Sequence, residues 1–112
     1  MPSNADSMPP AHQEPSSSPP PTFRIGSIPI FGKLILAPMD GVSDPPFRLI
    51  TRRLGSAFSL SEFINTLDFS VQKHFQQSRF AFQPQERPFG IQLLDNDPQR
   101  MADSAGEIYA KY

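Results

Sequence analysis

The 112 residues carry ten basic and eleven acidic side chains, a net charge of −1, and no cysteine, which excludes disulfides, thiolate metal sites and a catalytic thiol within this sequence. A chain of 112 residues suffices for one small domain but is less than half of the roughly 250 typical of a complete α/β barrel. No stretch approaches the roughly 20 apolar residues of a membrane span, and with only His12 and His74 as imidazoles no metal site is expected.

Seven of the fourteen prolines precede Thr22, among serines and without a single Lys or Arg. Residues 1–22 therefore read as a disordered tail, because they have almost no apolar side chains to set against the entropy of ordering the backbone. The tail lacks the basic start and apolar stretch of a secretory signal and the arginines of a transit peptide, so a soluble cytoplasmic protein is the expectation. Beyond it, ten basic residues meet nine acidic ones, a net +1. That is no basic patch, and a phosphate-neutralising surface for nucleic acid would have to lie elsewhere.

From Phe23 to Ile30 apolar residues alternate around Gly26-Ser27, which predicts a short hairpin. Leu34-Ile35-Leu36-Ala37 is continuously apolar and suits a strand buried on both faces, as in a parallel sheet. Ser43 or Asp44 can cap a helix opening on Pro45-Pro46, with Phe47, Leu49, Ile50 and Leu54 as its apolar face and Gly55 as its terminator. Arg48, Arg52 and Arg53 read as its solvated outer face rather than as RNA contacts. A second strand is predicted at Ala57 to Leu60, leading into Ser61-Glu62-Phe63, and a helix from about Asp68 to Ser78 that carries His74 on its surface. After a loop at Gln83 to Arg87, Phe89 to Leu94 reads as a third buried strand. Asp97-Pro98 then starts a helix whose core stripe is Met101, Ala102, Ala105, Ile108 and Tyr109. Strands alternating with helices of this length predict right-handed βαβ units in a parallel sheet.

In such architectures ligands sit at the carboxyl ends of the strands. The three exits read Pro38-Met39-Asp40-Gly41, Ser61-Glu62-Phe63 and Gln92-Leu93-Leu94-Asp95. A flat redox-active ring needs apolar packing on one face and fixed hydrogen bonds at its polar edge. Met39 offers soft, polarizable packing, Gly41 a close backbone approach, and Gln92 both a donor and an acceptor. "GVSDPP" has neither the G-x-G-x-x-G spacing nor a P-loop lysine, so no phosphate-binding loop is read here. Glu62 reads as a structural carboxylate that hydrogen-bonds nearby loops, and Asp44 and Asp97 as helix caps.

"LAPMDGVSDPPFR", with "SEF" at the second exit and "GIQLLDNDPQRMADSA" at the third, resembles the amino-terminal part of the tRNA-dihydrouridine synthases over Phe23 to Tyr112. Asp40 departs from the alanine commoner in that family, at a position where the backbone makes the contact. The resemblance implies the first three or so βα units of an eight-stranded (β/α) TIM barrel, in a flavin-binding domain of residues 23–112 cut before the fourth strand. It implies FMN at the strand ends, NADPH as reductant, and reduction of a tRNA uridine to 5,6-dihydrouridine. Pro38, Met39 and Asp40 would lie against the flavin ring and Gln92 would hydrogen-bond its edge. The family's proton-donating cysteine would follow Tyr112, so no catalytic residue is assigned within the chain, and tRNA would bind through a helical carboxyl-terminal part that is missing. The expectation is a truncated piece, inactive alone, with uncovered strand edges that make it poorly soluble or dependent on a partner. Two rival readings are another FMN barrel oxidoreductase, acting on dihydroorotate or enones, and a non-catalytic remnant or interaction module.

Overall fold

The computed structural model describes residues 18–71 and 77–112, so most of the predicted tail, with His12, and the predicted helix position of His74 lie outside the described residues. The hairpin forms as β1 (Phe23–Ile25) and β2 (Ile28–Ile30), antiparallel with Phe23 opposite Ile30. Thr22 extends it by donating from its amide to the Ile30 carbonyl at 2.8 Å. Ile30 is its one fully buried side chain.

Next come β3 (Ile35–Leu36), α1 (Pro45–Arg53) and β4 (Phe58–Leu60). Asp44 caps α1 by accepting from the Phe47 amide at 3.0 Å, and proline opens the helix where its missing amide costs nothing. Gly55, at φ 110°, ends it in the left-handed conformation that glycine adopts without a Cβ penalty. The chain continues through β5 (Ile64–Asn65), α2 (Thr66–Val71), 3-10 turns at Gln77–Phe80 and Pro84–Glu86, β6 (Phe89–Gly90), β7 (Leu93–Leu94) and α3 (Pro98–Lys111). Strands β3, β4 and β6 form one parallel sheet in that order, and β5 and β7 a second parallel pair. The architecture is mixed α/β with parallel pairing, as the alternation of strands and helices predicts.

Four expectations need correction. The run Leu34–Ala37 is not buried on both faces: Leu34 is 69% exposed, because β3 is the edge of its sheet and has no neighbour on one side among the described residues. The second and third strands are each interrupted. Leu60 pairs with Gly90 and Ile64 with Leu93, so Ser61-Glu62-Phe63 lie opposite only Ile91 and Gln92. This one-residue excess is a β-bulge in the second strand, the device that re-aims side chains at the rim of a sheet. Gly90 sits where the two strands crowd, since a Cβ there would lie 2.9 Å from Phe58 Cζ.

Arg48 is not on a solvated face. It is 1% exposed and donates from Nε to Glu86 Oε1 at 2.7 Å, from Nη1 to the Ser43 carbonyl at 3.0 Å and from Nη2 to the Ala81 carbonyl at 2.8 Å. Its guanidinium also lies 4.8 Å from the centre of the Phe89 ring. A charge can be buried there because every face of it meets an acceptor or an aromatic ring. Finally, the stripe on α3 is narrower than its periodicity suggests. Ile108 is buried with Ile64, Phe69 and Phe80, but Ala102 and Ala105 are exposed and Tyr109 is 91% exposed. Helix α3 packs on α2 and β7, and its Tyr109 side faces an apolar groove of about 500 Å³ shared with Ile28, Ile91 and Leu93.

Candidate functional site

The exits of the strands are tied together by the bulge. At the end of β3 the chain turns sharply: the amides of Val42 and Ser43 donate to the Met39 carbonyl at 3.0 and 2.9 Å. The Ser43 hydroxyl, itself buried, accepts from the Met39 amide at 2.8 Å and donates back to the Met39 carbonyl at 3.0 Å. Ser43 is thus a turn-closing group, and Asp44 is the cap.

The bulge then reaches both neighbouring exits. Glu62 Oε1 accepts from the Gly41 amide at 2.5 Å, the structural role expected of that carboxylate. On the other side the Ser61 amide donates to the Gly90 carbonyl at 2.9 Å, and its hydroxyl accepts from the Gln92 amide at 3.1 Å. The Gln92 carbonyl accepts from the Ile64 amide at 2.8 Å. A hydroxyl stands where a regular ladder would use a backbone carbonyl, which is how the bulge keeps its polar groups satisfied.

The four residues singled out for a ring-binding role therefore occupy two exits joined through Ser61 and Glu62. No hydrogen bond links Gln92 to residues 38–41 among the described residues. Both backbone groups of Gln92 are held, whereas its exposed side-chain amide has no hydrogen-bond partner among the described residues. In the turn, the amides of Met39 and Gly41 are taken, which leaves that of Asp40 without a partner among the described residues. The Met39 side chain is 38% exposed and Pro38 is half-buried. These are a soft apolar wall, one backbone donor and one side-chain amide that can both donate and accept.

Sequence reasoning missed Arg79. It donates from Nη1 to Asp40 Oδ1 at 2.7 Å and to the Phe63 carbonyl at 3.0 Å, with its guanidinium 5.5 Å from the Phe63 ring centre. An arginine 39 residues away from its partner leaves no mark in local sequence. Asp95, read only as part of the third exit, is a second polar junction. It accepts from Arg100 Nε and Nη2 at 2.6 Å each, from the Asn96 and Asp97 amides at 2.7 and 2.9 Å, and from the Thr66 hydroxyl. The Arg100 guanidinium, helped by Thr66 and the two amides, outweighs burial and holds the Asp95 carboxyl well below the usual carboxylate range. Asp97 caps α3 by accepting from the amides of Gln99 and Arg100. Among the described residues, no three metal-ligating side chains cluster and no helix is long and apolar enough to cross a membrane.

Parallel α/β units with unpartnered donors and an exposed methionine at the strand exits define the class of α/β proteins whose candidate site is the rim at the carboxyl ends of the strands. The dihydrouridine synthase (Dus) family model matches residues 35–111, the greater part of the chain, and the chain belongs to that family. Proteins named tRNA-dihydrouridine synthase B are similar to it. That of Xanthomonas campestris pv. campestris is 36% identical over 85 residues, covering 74% of this chain and 25% of the relative. That of Pseudomonas syringae pv. tomato is 39% identical over 83 residues, 73% of this chain and 24% of the relative. That of Pseudomonas aeruginosa is 34% identical over 82 residues, 73% and 25%. The chain thus spans about a quarter of the length of the curated relatives it matches. No solved structure matches it.

Proposed function

We propose that residues 23–112 supply the first three βα units of a flavin-binding TIM barrel, and that the whole enzyme reduces uridine in tRNA to 5,6-dihydrouridine. Membership of the dihydrouridine synthase family supports the reaction class. The single observation that carries the site is Gln92: its backbone is fixed at both ends while its side-chain amide is exposed and uncommitted. The donor set suits FMN, whose ring presents apolar faces and an edge of alternating donors and acceptors. When bound, and once reduced by NADPH, FMN supplies the hydride that saturates the uracil ring.

The residues of this chain bind and orient rather than exchange protons. Met39 would pack its thioether against the ring with Pro38 beside it, and the Asp40 amide and Gln92 side chain would donate to the polar edge. Ser61 fixes the backbone of Gln92, so that wall is preorganised, which is what orientation catalysis requires. No side chain here is assigned the proton transfer, and tRNA is bound by parts of the enzyme outside residues 23–112.

The test is a chimera in which residues 35–111 replace the matching quarter of the Pseudomonas aeruginosa protein, scored for dihydrouridine in tRNA from a host lacking its own synthases. Retained dihydrouridine, with flavin retention reduced about three- to tenfold in Gln92→Ala by loss of one hydrogen bond, is the expected result. A soluble, flavin-free chimera that makes no dihydrouridine overturns the reading.

A further inference from the structure

Glu62 and Arg79 have no place in the ring contacts above, yet both converge on the tip of the Met39–Gly41 turn. The base of that turn closes on itself through Ser43, but its tip, Asp40-Gly41, is exposed and contains a glycine at φ 74°. Nothing in the local sequence fixes it. Two charged side chains from the next βα unit do: Glu62 accepts from the Gly41 amide, and Arg79 bridges Asp40 and the Phe63 carbonyl. Glu62 and Phe63 are adjacent within the bulge, so both restraints hold the tip to the same short segment.

We propose that Glu62 and Arg79 are positioning residues that hold the Met39–Gly41 turn as one wall of the ring site. Their purpose rests on the flavin reading above, and their geometry on contacts within this chain. The Arg79–Asp40 pair is too exposed, at 36% and 47% of the two side chains, to add much to global stability. Charge-assisted bonds are nevertheless directional, and two of them on adjacent residues leave the tip no free swing. Arg79 uses one nitrogen for both acceptors, so a lysine ammonium can recover part of the bridge.

The test is amide hydrogen exchange and 1H–15N spectra of the 112-residue chain and its Arg79→Ala, Arg79→Lys and Glu62→Gln variants. The Gly41 amide, donating to a carboxylate, resonates downfield and exchanges slowly. Arg79→Ala and Glu62→Gln each speed its exchange about tenfold, Glu62→Gln also moves its resonance upfield, and Arg79→Lys recovers part of the protection, while Ile108 in α3 is unaffected. Unchanged exchange at Gly41 in both variants overturns the proposal. Should α3 amides show that a variant is unfolded, Asp40→Asn, which weakens only the exposed end of the bridge, is read by the same criterion. In the chimera, Arg79→Ala lowers flavin retention at least threefold relative to its parent, and equal retention also overturns the proposal. A parental chimera that holds no flavin counts against the flavin reading alone, because the Gly41 signal is measured without flavin.

Discussion

The two ends of the described chain solve burial in opposite ways. Around β5, α2, β7 and α3, Ile64, Phe69, Phe80 and Ile108 close a core, with Ile91 and Leu93 packed against it and the Phe69 and Phe80 rings 5.5 Å apart. Around β3 and α1 the apolar residues stay outside: Phe47 and Ile50 are exposed and Leu54 is 80% exposed. Apart from Ile30 and Ala57, what is buried there is polar, namely Arg48, Glu86, Ser43 and Ser59, the last with a hydroxyl that has no partner among the described residues. One region is held by apolar area, the other by a single ion pair with its hydrogen bonds. A helix whose hydrophobic stripe faces water is stabilised mainly by what its one buried side chain can reach.

The strongest way to break this contrast is Arg48→Ala. It strands Glu86 as a buried carboxylate that has lost its counter-charge, at a cost of about 3–5 kcal/mol. Urea unfolding of the chain should show that loss, and replacing both partners together with apolar residues should recover most of it. Recovery absent in the double replacement would show that the carbonyl contacts of Arg48, rather than its charge pairing, hold α1 in place.

The next largest effect sharpens the contrast directly. Ile108→Ala removes a core side chain and should cost about 2–5 kcal/mol, whereas Ile50→Ala, on the open stripe of α1, should stay within about 0.5 kcal/mol. Comparable losses in the two variants would mean that the stripe on α1 is covered in solution.

Local signals account for what the sequence made legible. The Gly26-Ser27 hairpin, the caps Asp44 and Asp97 and the stop at Gly55 all depend on residues within seven positions of one another. The exits proposed for the ring contacts follow from the parallel order of the strands, which the alternation of periodicities announces. The misreadings are long-range. Arg48 looks like a surface residue until Glu86, 38 positions away, turns out to sit opposite it. The bulge at Ser61-Glu62-Phe63 exists only relative to Ile91 and Gln92, and the value of Arg79 only relative to Asp40. Periodicity likewise overstated burial on α1 and α3, because an apolar stripe specifies which face can be buried and not whether another element covers it.

Each region also has its own arginine–carboxylate junction. Asp95 joins β7 to α2 through Thr66 and to α3 through Arg100, so its charge serves the region that already has an apolar core. Its carboxyl is held below the ordinary value of about 3.9, chiefly by Arg100. A group whose folded-state value is depressed contributes stability that is fully present above its unfolded value and is lost as the pH falls toward the folded one. Stability should therefore hold steady through neutral pH and decline once the pH drops below about 4, where the unfolded chain takes up a proton that the folded chain refuses. Asp95→Asn should lower the plateau and flatten part of that decline, because the difference in proton uptake at this position vanishes. The core around Ile108 does not titrate, so the residual helix signal of α3 in acid should outlast the contacts of Asp95. An acid limb as steep in Asp95→Asn as in the parent would move the acid-sensitive contact out of this region and into the polar half of the molecule.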